Sequence, residues 1–326
     1  MILTRTPLRV SLFGGGSDIP SYYEREPGRV LSFTIDKYMY IALCRTAFKG
    51  VKVVYNEIEL TESVSSIKHS RVRECLQEFG ISSHVEISSF CEIPTKGTGL
   101  GSSSTFTVGL INALSNLLGL PLGKYDIANL ACLIEIESCK EPIGKQDQFA
   151  AAYGGLNVFG FRKDGVTILK PAVSNIIIER LNNNLMMFYT GLTRNTSDIL
   201  SVQGKSKTND SLLKRMVGMT IDAVIALEAG NLDDVGRMLD EGWQLKRQLA
   251  YNVSNDFIDM HYKRAMQAGA LGGKILGAGG GGYLLFYVPL DKQETVRQAL
   301  SSLEEFKFKF EDTGTTVVYN ESKRAL

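Results

Sequence analysis

Apolar residues in the first third of the chain come in short runs broken by Gly, Pro and charged turns. On that basis LTRTPLRVSLF, VLSFTI, YMYIALCR and VKVVYN read as strands. HVEISSFCEI reads as another, because Val85 and Ile87 alternate with polar neighbours. Over residues 65–79 the spacing of Ile67, Val72, Leu76 and Phe79 predicts a helical stripe. After a glycine and serine cluster at 97–104, Val108, Ile111, Leu114, Leu117 and Leu118 recur at helical spacing, so the order is strand, loop, helix. A second helix is predicted from about Tyr125 to Ser138 on Ile127, Leu130, Ala131 and Ile134, ending before GKQDQ.

The polar stretch at Asn182–Asn184 reads as a turn between two lobes. Beyond it, MVGMTIDAVIALEAGNLDDVGRMLDEGWQLKRQL predicts two antiparallel helices around Gly230 and Asn231, with Trp243 as a packing anchor. The remainder predicts a helix at 255–267, strands KILGA and YLLFYV around a glycine turn, a helix near 291–303, and final strands FKFKF and TTVVY. Strands interleaved with helices on one face give an α+β fold class.

Composition narrows the function classes. The 326 residues suit one two-lobed unit or two domains sharing an interface. With 44% hydrophobic and 22% charged residues the chain is an ordinary globular sequence. Thirty-six basic against thirty-five acidic residues give a formal charge of +1, no footprint for nucleic acid or a membrane surface. Five scattered cysteines without a C-x-x-C pair argue against a disulfide framework. The start MILTRTPLRVSLF has no leader pattern and no run is long enough to span a membrane, so a cytoplasmic location is expected. His69, His84 and His261 are far apart, which disfavours a histidine metal centre and makes them surface or packing residues.

Three glycine clusters carry the candidate chemistry. In PTKGTGLGSSST, residues 94–105, a strand feeds a small-residue loop that opens a long helix, whose start presents unpaired N–H groups and positive potential. Gly97, Gly99 and Gly101 remove side chains that would hold phosphate oxygens off the backbone, and Ser102, Ser103 and Ser104 offer hydroxyls. A Walker loop is excluded because Ser102 stands where lysine should follow Gly101. The dinucleotide fingerprint fails too, since Leu100, Gly101 and Ser102 follow Gly99. A serine-capped helix after a flexible turn stays open as the alternative. In ILGAGGGGYLLF, glycines at 277 and 279–282 exceed what a hairpin turn needs, and close backbone approach explains them better. In PLRVSLFGGGSDIPSYY, Arg9 is a fixed charge and Asp18 an acceptor for sugar-like hydroxyls, with a glycine turn capped by Asp18 as the competing reading.

Transfer of a phosphoryl group to an alcohol needs one carboxylate to take or orient the hydroxyl proton and another to hold Mg²⁺. Asp147 and Glu135 fit those roles, although for Glu135 a solvated helix face is an equal reading. Glu137, two residues on, points elsewhere.

PLRVSLFGGGSD, PTKGTGLGSSST and KILGAGGGG, in that order, resemble the three signature motifs of the GHMP small-molecule kinases over nearly the whole chain. The resemblance implies an α+β N-terminal lobe with a left-handed crossover and a ferredoxin-like C-terminal lobe, divided as 1–182 and 183–326. It implies ATP, with Lys96, Gly97, Thr98, Gly99, Leu100, Gly101 and Ser102 to Ser104 around its phosphates. Glu135 and a serine of that run, taken as Ser103, would hold Mg²⁺. Asp147 corresponds to the catalytic aspartate, Arg9 to its partner, and Asp18 to the sugar-binding aspartate, with Gly15, Gly16, Ser17, Gly279 and Gly280 also on the substrate. The glycine-rich first motif, EPIGKQDQFAAAYGG and TGLTRNTSDI are similar to heptose phosphate kinases and, next, to L-fucose kinases of that family. A sugar phosphate needs its own cation. Arg194, flanked by Thr193 and Thr196, is the candidate, with Lys96 and Lys145 as alternatives. The expected partners are ATP and a small sugar phosphate, neither nucleic acid nor membrane, and a homodimer is left open. A catalytically silent sensor of nucleotide or sugar is the rival from another class.

Overall fold

The computed structural model describes residues 1–94, 97–192 and 209–321. In chain order the first part contains β1 (Ile2–Phe13), α1 (Pro20–Tyr23), β2 (Gly28–Arg45), β3 (Val51–Val54), β4 (Ile58–Thr61), α2 (Ser70–Glu78), β5 (Val85–Cys91), α3 (Ser102–Leu117), α4 (Lys124–Cys132), α5 (Gln146–Tyr153), β6 (Asn157–Arg162), β7 (Gly165–Leu169) and α6 (Asn175–Asn184). The second contains β8 (Leu185–Tyr189), α7 (Asp210–Glu228), α8 (Leu232–Arg247), α9 (Asp256–Gln267), β9 (Gly272–Ile275), β10 (Tyr283–Tyr287), α10 (Gln293–Ala299), β11 (Glu304–Glu305) and β12 (Thr316–Asn320).

Two sheets organise these elements into an α+β architecture. The first has the order β12-β1-β2-β5-β3-β4, with β6 on the other half of β2 and β7 beside β6. The second has the order β11-β8-β10-β9, and all its pairings are antiparallel. Counted within that sheet, the strands lie fourth, first, third, second. That is the ferredoxin-like arrangement, with helices between its first and second strands and again between its third and fourth. The last strand returns to the first sheet, where Ile2 faces Asn320 and Arg5 faces Thr316. None of the described helices is long and apolar enough to cross a membrane.

α3 is the axis of the first part. Every residue from Ser104 to Ser115 is buried, so the helix is enclosed rather than amphipathic. Gly109 lets it approach β1: an added Cβ would stand 2.9 Å from Thr6 Oγ1. A second apolar cluster joins Leu8, Val10 and Leu12 of β1 and Leu100 to Met187, Met219, Val235, Leu276 and Leu285 of the second part. Alternate residues of β1 therefore seal the two parts together and fix the loops around Arg9.

Several elements differ from the sequence expectation. VLSFTI and YMYIALCR are one 18-residue strand, β2. Pro7 pairs with Tyr38 and Leu8 with Ile35, so Asp36 and Lys37 are accommodated as a bulge rather than a turn. FKFKF forms no named strand. Its alternation does bury aromatic faces, with Phe310 stacked on Phe33 at 3.9 Å, but its backbone makes an isolated bridge to Ile35 and a single bond from Phe306 N to the Met187 carbonyl rather than a ladder. The helix expected at 291–303 is a 3₁₀ turn at Leu290–Lys292 followed by seven α-helical residues. Asn182–Asn184 is the end of α6, not a turn, and the hairpin β6–β7 went unread.

Candidate functional site

The loop at 97–104 has the backbone that its glycines permit. Gly97, Gly99 and Gly101 have φ of 69°, 78° and 75°, a left-handed region that side-chain-bearing residues rarely adopt. At Gly99 there is also no room for a side chain, and at Gly101 the fit would be tight. A Cβ on Gly99 would meet the Leu276 carbonyl oxygen at 2.5 Å, and one on Gly101 would lie 3.1 Å from both Asp147 Oδ2 and Arg9 Cγ. Gly101 caps α3, whose first turn carries Ser102, Ser103 and Ser104. Ser103 is exposed, whereas Ser102 and Ser104 are buried.

Arg9 ties this loop to the first carboxylate. Its backbone N–H donates to the Leu100 carbonyl (3.1 Å) and Nη1 donates to the Gly99 carbonyl (2.6 Å). Nε and Nη2 donate to the two oxygens of Asp147, both at 2.6 Å. This is a bidentate fork, which fixes a carboxylate in plane as well as in distance. Asp147 sits in the first turn of α5, and its side chain keeps 22% of its exposure against 5% for Arg9.

Asp18 is tied to the same helix start as Asp147, near enough to feel its charge. It is 3% exposed and accepts from Gly16 N (3.0 Å), Gln146 Nε2 (3.1 Å) and Gln146 N (3.3 Å). Burial, then the negative charge of Asp147, pushes its pKa above the usual aspartate value. A Cβ on Gly144 would collide with Asp18 Oδ2 at 1.9 Å, so that glycine is the price of the close approach. Lys145 lies beside this group, with its Nζ over the Tyr23 ring at 4.7 Å.

Glu135 occupies a π-helical turn, Leu133–Ser138, that continues α4. The wider turn puts Glu135 fully inside while Glu137 stays exposed. Arg71 Nε (2.8 Å) and Thr107 Oγ1 (2.7 Å) donate to its Oε1, and Ser104 Oγ (2.7 Å) and Gln148 Nε2 (2.5 Å) to its Oε2. The expected metal pair therefore does not fit. Glu135 is 0% exposed with each oxygen doubly engaged, one partner is already a cation, and the serine bonded to it is Ser104, not Ser103.

Arg71, which sequence reasoning missed, reaches the surface of a cleft of about 340 Å³ beside the start of α3. Tyr55, His69 and Phe106 form an aromatic wall there, with ring centroids 4.9 Å apart along the series, and Ser102 and Ser103 supply hydroxyls. His69 is thus more than a packing residue: its Nδ1 also caps α2 by accepting from Val72 N. A histidine in the sequence S-I-K-H-S before a helical stripe was the only signal for it.

The second glycine run makes the expected close backbone approach, and it does so against the first loop through Gly277 and Gly282. A Cβ on Gly277 would meet Gly99 Cα at 2.5 Å, and one on Gly282 the Thr98 carbonyl at 2.4 Å. Gly279 and Gly280, assigned to substrate, instead pack on Val253, to whose carbonyl Gly280 N donates at 2.8 Å. Ser17 is likewise corrected. It is wholly buried, with its hydroxyl engaged by Gly14 O, Arg29 O and Arg29 N, so it holds the turn and offers nothing to a ligand. Lys96, Thr193 and Arg194 lie outside the described residues.

Two buried lysines were also missed. Lys246 Nζ donates to Gly277 O (2.5 Å) and Ile275 O (3.2 Å), and Lys274 Nζ to Ser11 O (2.9 Å) and Leu12 O (2.8 Å). Burial, with Arg9 nearby, pulls Lys246 down to about 7. Burial, Lys246 and Arg9 pull Lys274 well below the ordinary lysine value.

The sequence matches the GHMP kinases N terminal domain over residues 67–155 and the GHMP kinases C terminal domain over 223–305. It is 33% identical over 317 residues to a D-glycero-alpha-D-manno-heptose 7-phosphate kinase of Campylobacter jejuni, covering 92% of this chain and 93% of that protein. It is 27% identical over 334 residues to a bifunctional fucokinase/GDP-fucose pyrophosphorylase of Arabidopsis thaliana, covering 93% of this chain and 31% of that longer protein. Among solved structures, a D-glycero-D-manno-heptose 1-phosphate kinase from Bacteroides thetaiotaomicron superposes with a TM-score of 0.81 at 26% identity, over 98% of this chain and 100% of that one. Loop, forked aspartate and matches over both parts agree: the chain belongs to the GHMP kinase family and is a phosphotransferase with an alcohol group as acceptor.

Proposed function

We propose that this kinase transfers the terminal phosphoryl group of ATP to the anomeric hydroxyl of D-glycero-D-manno-heptose 7-phosphate, giving the 1,7-bisphosphate. The observation that carries the reading is the Arg9–Asp147 fork against Gly101. It brings a partly exposed, oriented carboxylate to the mouth of a helix whose N-terminus suits phosphate. The similarity to the Campylobacter kinase supports the choice of sugar.

In this reading Asp147 accepts the proton of the anomeric hydroxyl as its oxygen bonds to phosphorus. The bond to the bridging oxygen breaks, and ADP leaves. Arg9 keeps the carboxylate aimed and adds positive charge beside the transferring group. Asp18 and the Gly15–Gly16 backbone hold sugar hydroxyls, the aromatic wall at Tyr55 and His69 takes the base, and the start of α3 takes the phosphates. Mg²⁺ belongs to the proposal as a companion of the nucleotide, with exposed Ser103 rather than Glu135 as the protein oxygen within its reach. We place the boundary between the ATP-binding part and the second part, expected at 182/183, at the end of α6, between Asn184 and Leu185, with β12 as the strand that returns.

An ADP-release screen with heptose 7-phosphate, L-fucose, galactose and mevalonate side by side tests it. Turnover is expected to be fastest with heptose 7-phosphate. Faster turnover of fucose would move the chain to the fucokinase reading, and nucleotide binding with no release on any sugar would leave a sensor.

A further inference from the structure

Arg71 stands where the family resemblance would place a metal. We propose that Arg71 is a phosphate-binding residue of the nucleotide site, anchored by Glu135, which makes Glu135 a positioning residue. The inference rests on the nucleotide-dependent reading above and names one more residue of that site.

Three observations carry it. One carboxylate bridges the guanidinium to the helix that opens the phosphate loop: Glu135 accepts from Arg71 Nε on one oxygen and from Ser104 of α3 on the other. The arginine is therefore held against the first turn of α3, and it lines the same cleft as Ser102 and Ser103. Its side chain is 17% exposed, so unlike Glu135 it is open to a ligand. Finally, Nε is used on Glu135 and Nη2 lies 3.2 Å from Glu141, while Nη1 has no hydrogen bond or ion pair among the described residues. A guanidinium held through Nε and Nη2 keeps its plane fixed and leaves Nη1 as a directed donor of the kind that phosphate oxygens accept from.

Charge sets a condition on this arrangement. Glu135 and Glu141 together outweigh one arginine, so Arg71 contributes a directed hydrogen bond more than net charge, and the α3 terminus supplies the field. Glu135 is wrapped by three neutral donors behind the arginine, whereas Glu141 is 25% exposed and would repel an incoming phosphate.

The test is the affinity of ADP measured calorimetrically in EDTA and again with Mg²⁺. In EDTA, Arg71→Met should weaken ADP at least tenfold, Arg71→Lys should fall between, and Glu141→Gln should tighten it severalfold. If Arg71→Met does not fold, Arg71→Met/Glu135→Gln removes the stranded buried charge and is read in the same way. ADP affinity in EDTA within twofold of wild type in these Arg71→Met variants overturns the inference. So does a wild type that binds ADP only with Mg²⁺, or a Glu135→Gln variant that loses Mg²⁺ affinity alone. A wild type that binds ADP under neither condition overturns the nucleotide reading instead.

Discussion

Asp147 and Glu135 are two carboxylates of one site with opposite surroundings. Asp147 keeps part of its exposure and is gripped by a single arginine through both oxygens. Glu135 is sealed, and four donors from α2, α3 and α5 converge on it. A carboxylate open on one side can exchange a proton with a ligand, while a sealed and saturated one can only hold its neighbours still. In the proposed reading this contrast gives the chemistry to Asp147 and the architecture to Glu135.

The largest expected effects test that assignment directly. Asp147→Asn should lower kcat by about 10²–10⁴-fold, the range for losing a general base, while ADP binding persists. ADP release and calorimetry on the same preparation check this, and activity within tenfold of wild type would remove Asp147 from the proton transfer. Glu135→Ala strands Arg71 and three hydroxyl or amide donors around a cavity. It should destabilise the fold by about 3–5 kcal/mol, as breaking a buried ion pair does. Urea unfolding reads this, and a loss under 1 kcal/mol would mean that the sealed carboxylate holds nothing.

The two regions were unequally legible in the sequence. Asp147, Arg9 and the loop between Gly97 and Ser104 are marked by local patterns, a glycine every second residue and an aspartate in GKQDQ. The surroundings of Glu135 are assembled from positions 71, 104, 107 and 148, whose meeting depends on how three helices pack, and no spacing announces that. The same limit hid Lys246 and Lys274, which are ordinary lysines in the sequence and become buried only when the chain folds. Fold legibility followed the same rule. The α+β character of the second part was readable from its alternation of strands and helices, whereas its ferredoxin-like strand order was implied only by the family resemblance. The continuity of β2 through Asp36 and Lys37 was not, because a bulge and a turn share polar residues.

Two glycine loops meet where the readable and unreadable parts touch. Gly99→Ala combines a left-handed backbone with a Cβ 2.5 Å from the Leu276 carbonyl, so a loss of about 1–3 kcal/mol is expected together with weaker nucleotide binding. Gly80→Ala, also at positive φ but with nothing within 4 Å, is the control. Equal losses in the two variants would mean that backbone strain alone, not the contact between loops, is being read. Asp18→Asn should raise the KM for sugar about tenfold without lowering Tm, because the native carboxylate is held in a buried site that already disfavours its charge. A drop in Tm with an unchanged sugar KM would make Asp18 a scaffold residue like Glu135.

The smallest effect lies at Lys246, which braces Gly277 against the phosphate loop from inside the second part. Its folded pKa, about 7, is below the ordinary lysine value of 10.5. Between those values the unfolded chain holds the Lys246 proton and the folded chain has released it. Stability should therefore rise as pH increases from about 7 toward 10, and below 7 the contribution is constant because both states are protonated. Lys274 is shifted in the same direction and persists in a Lys246→Met variant, so the variant should keep part of the slope and lose the rest. Urea unfolding of both proteins at pH 7, 8 and 9 measures the difference. Parallel curves would show that Lys246 keeps its proton in the fold, held by the two carbonyls it bonds.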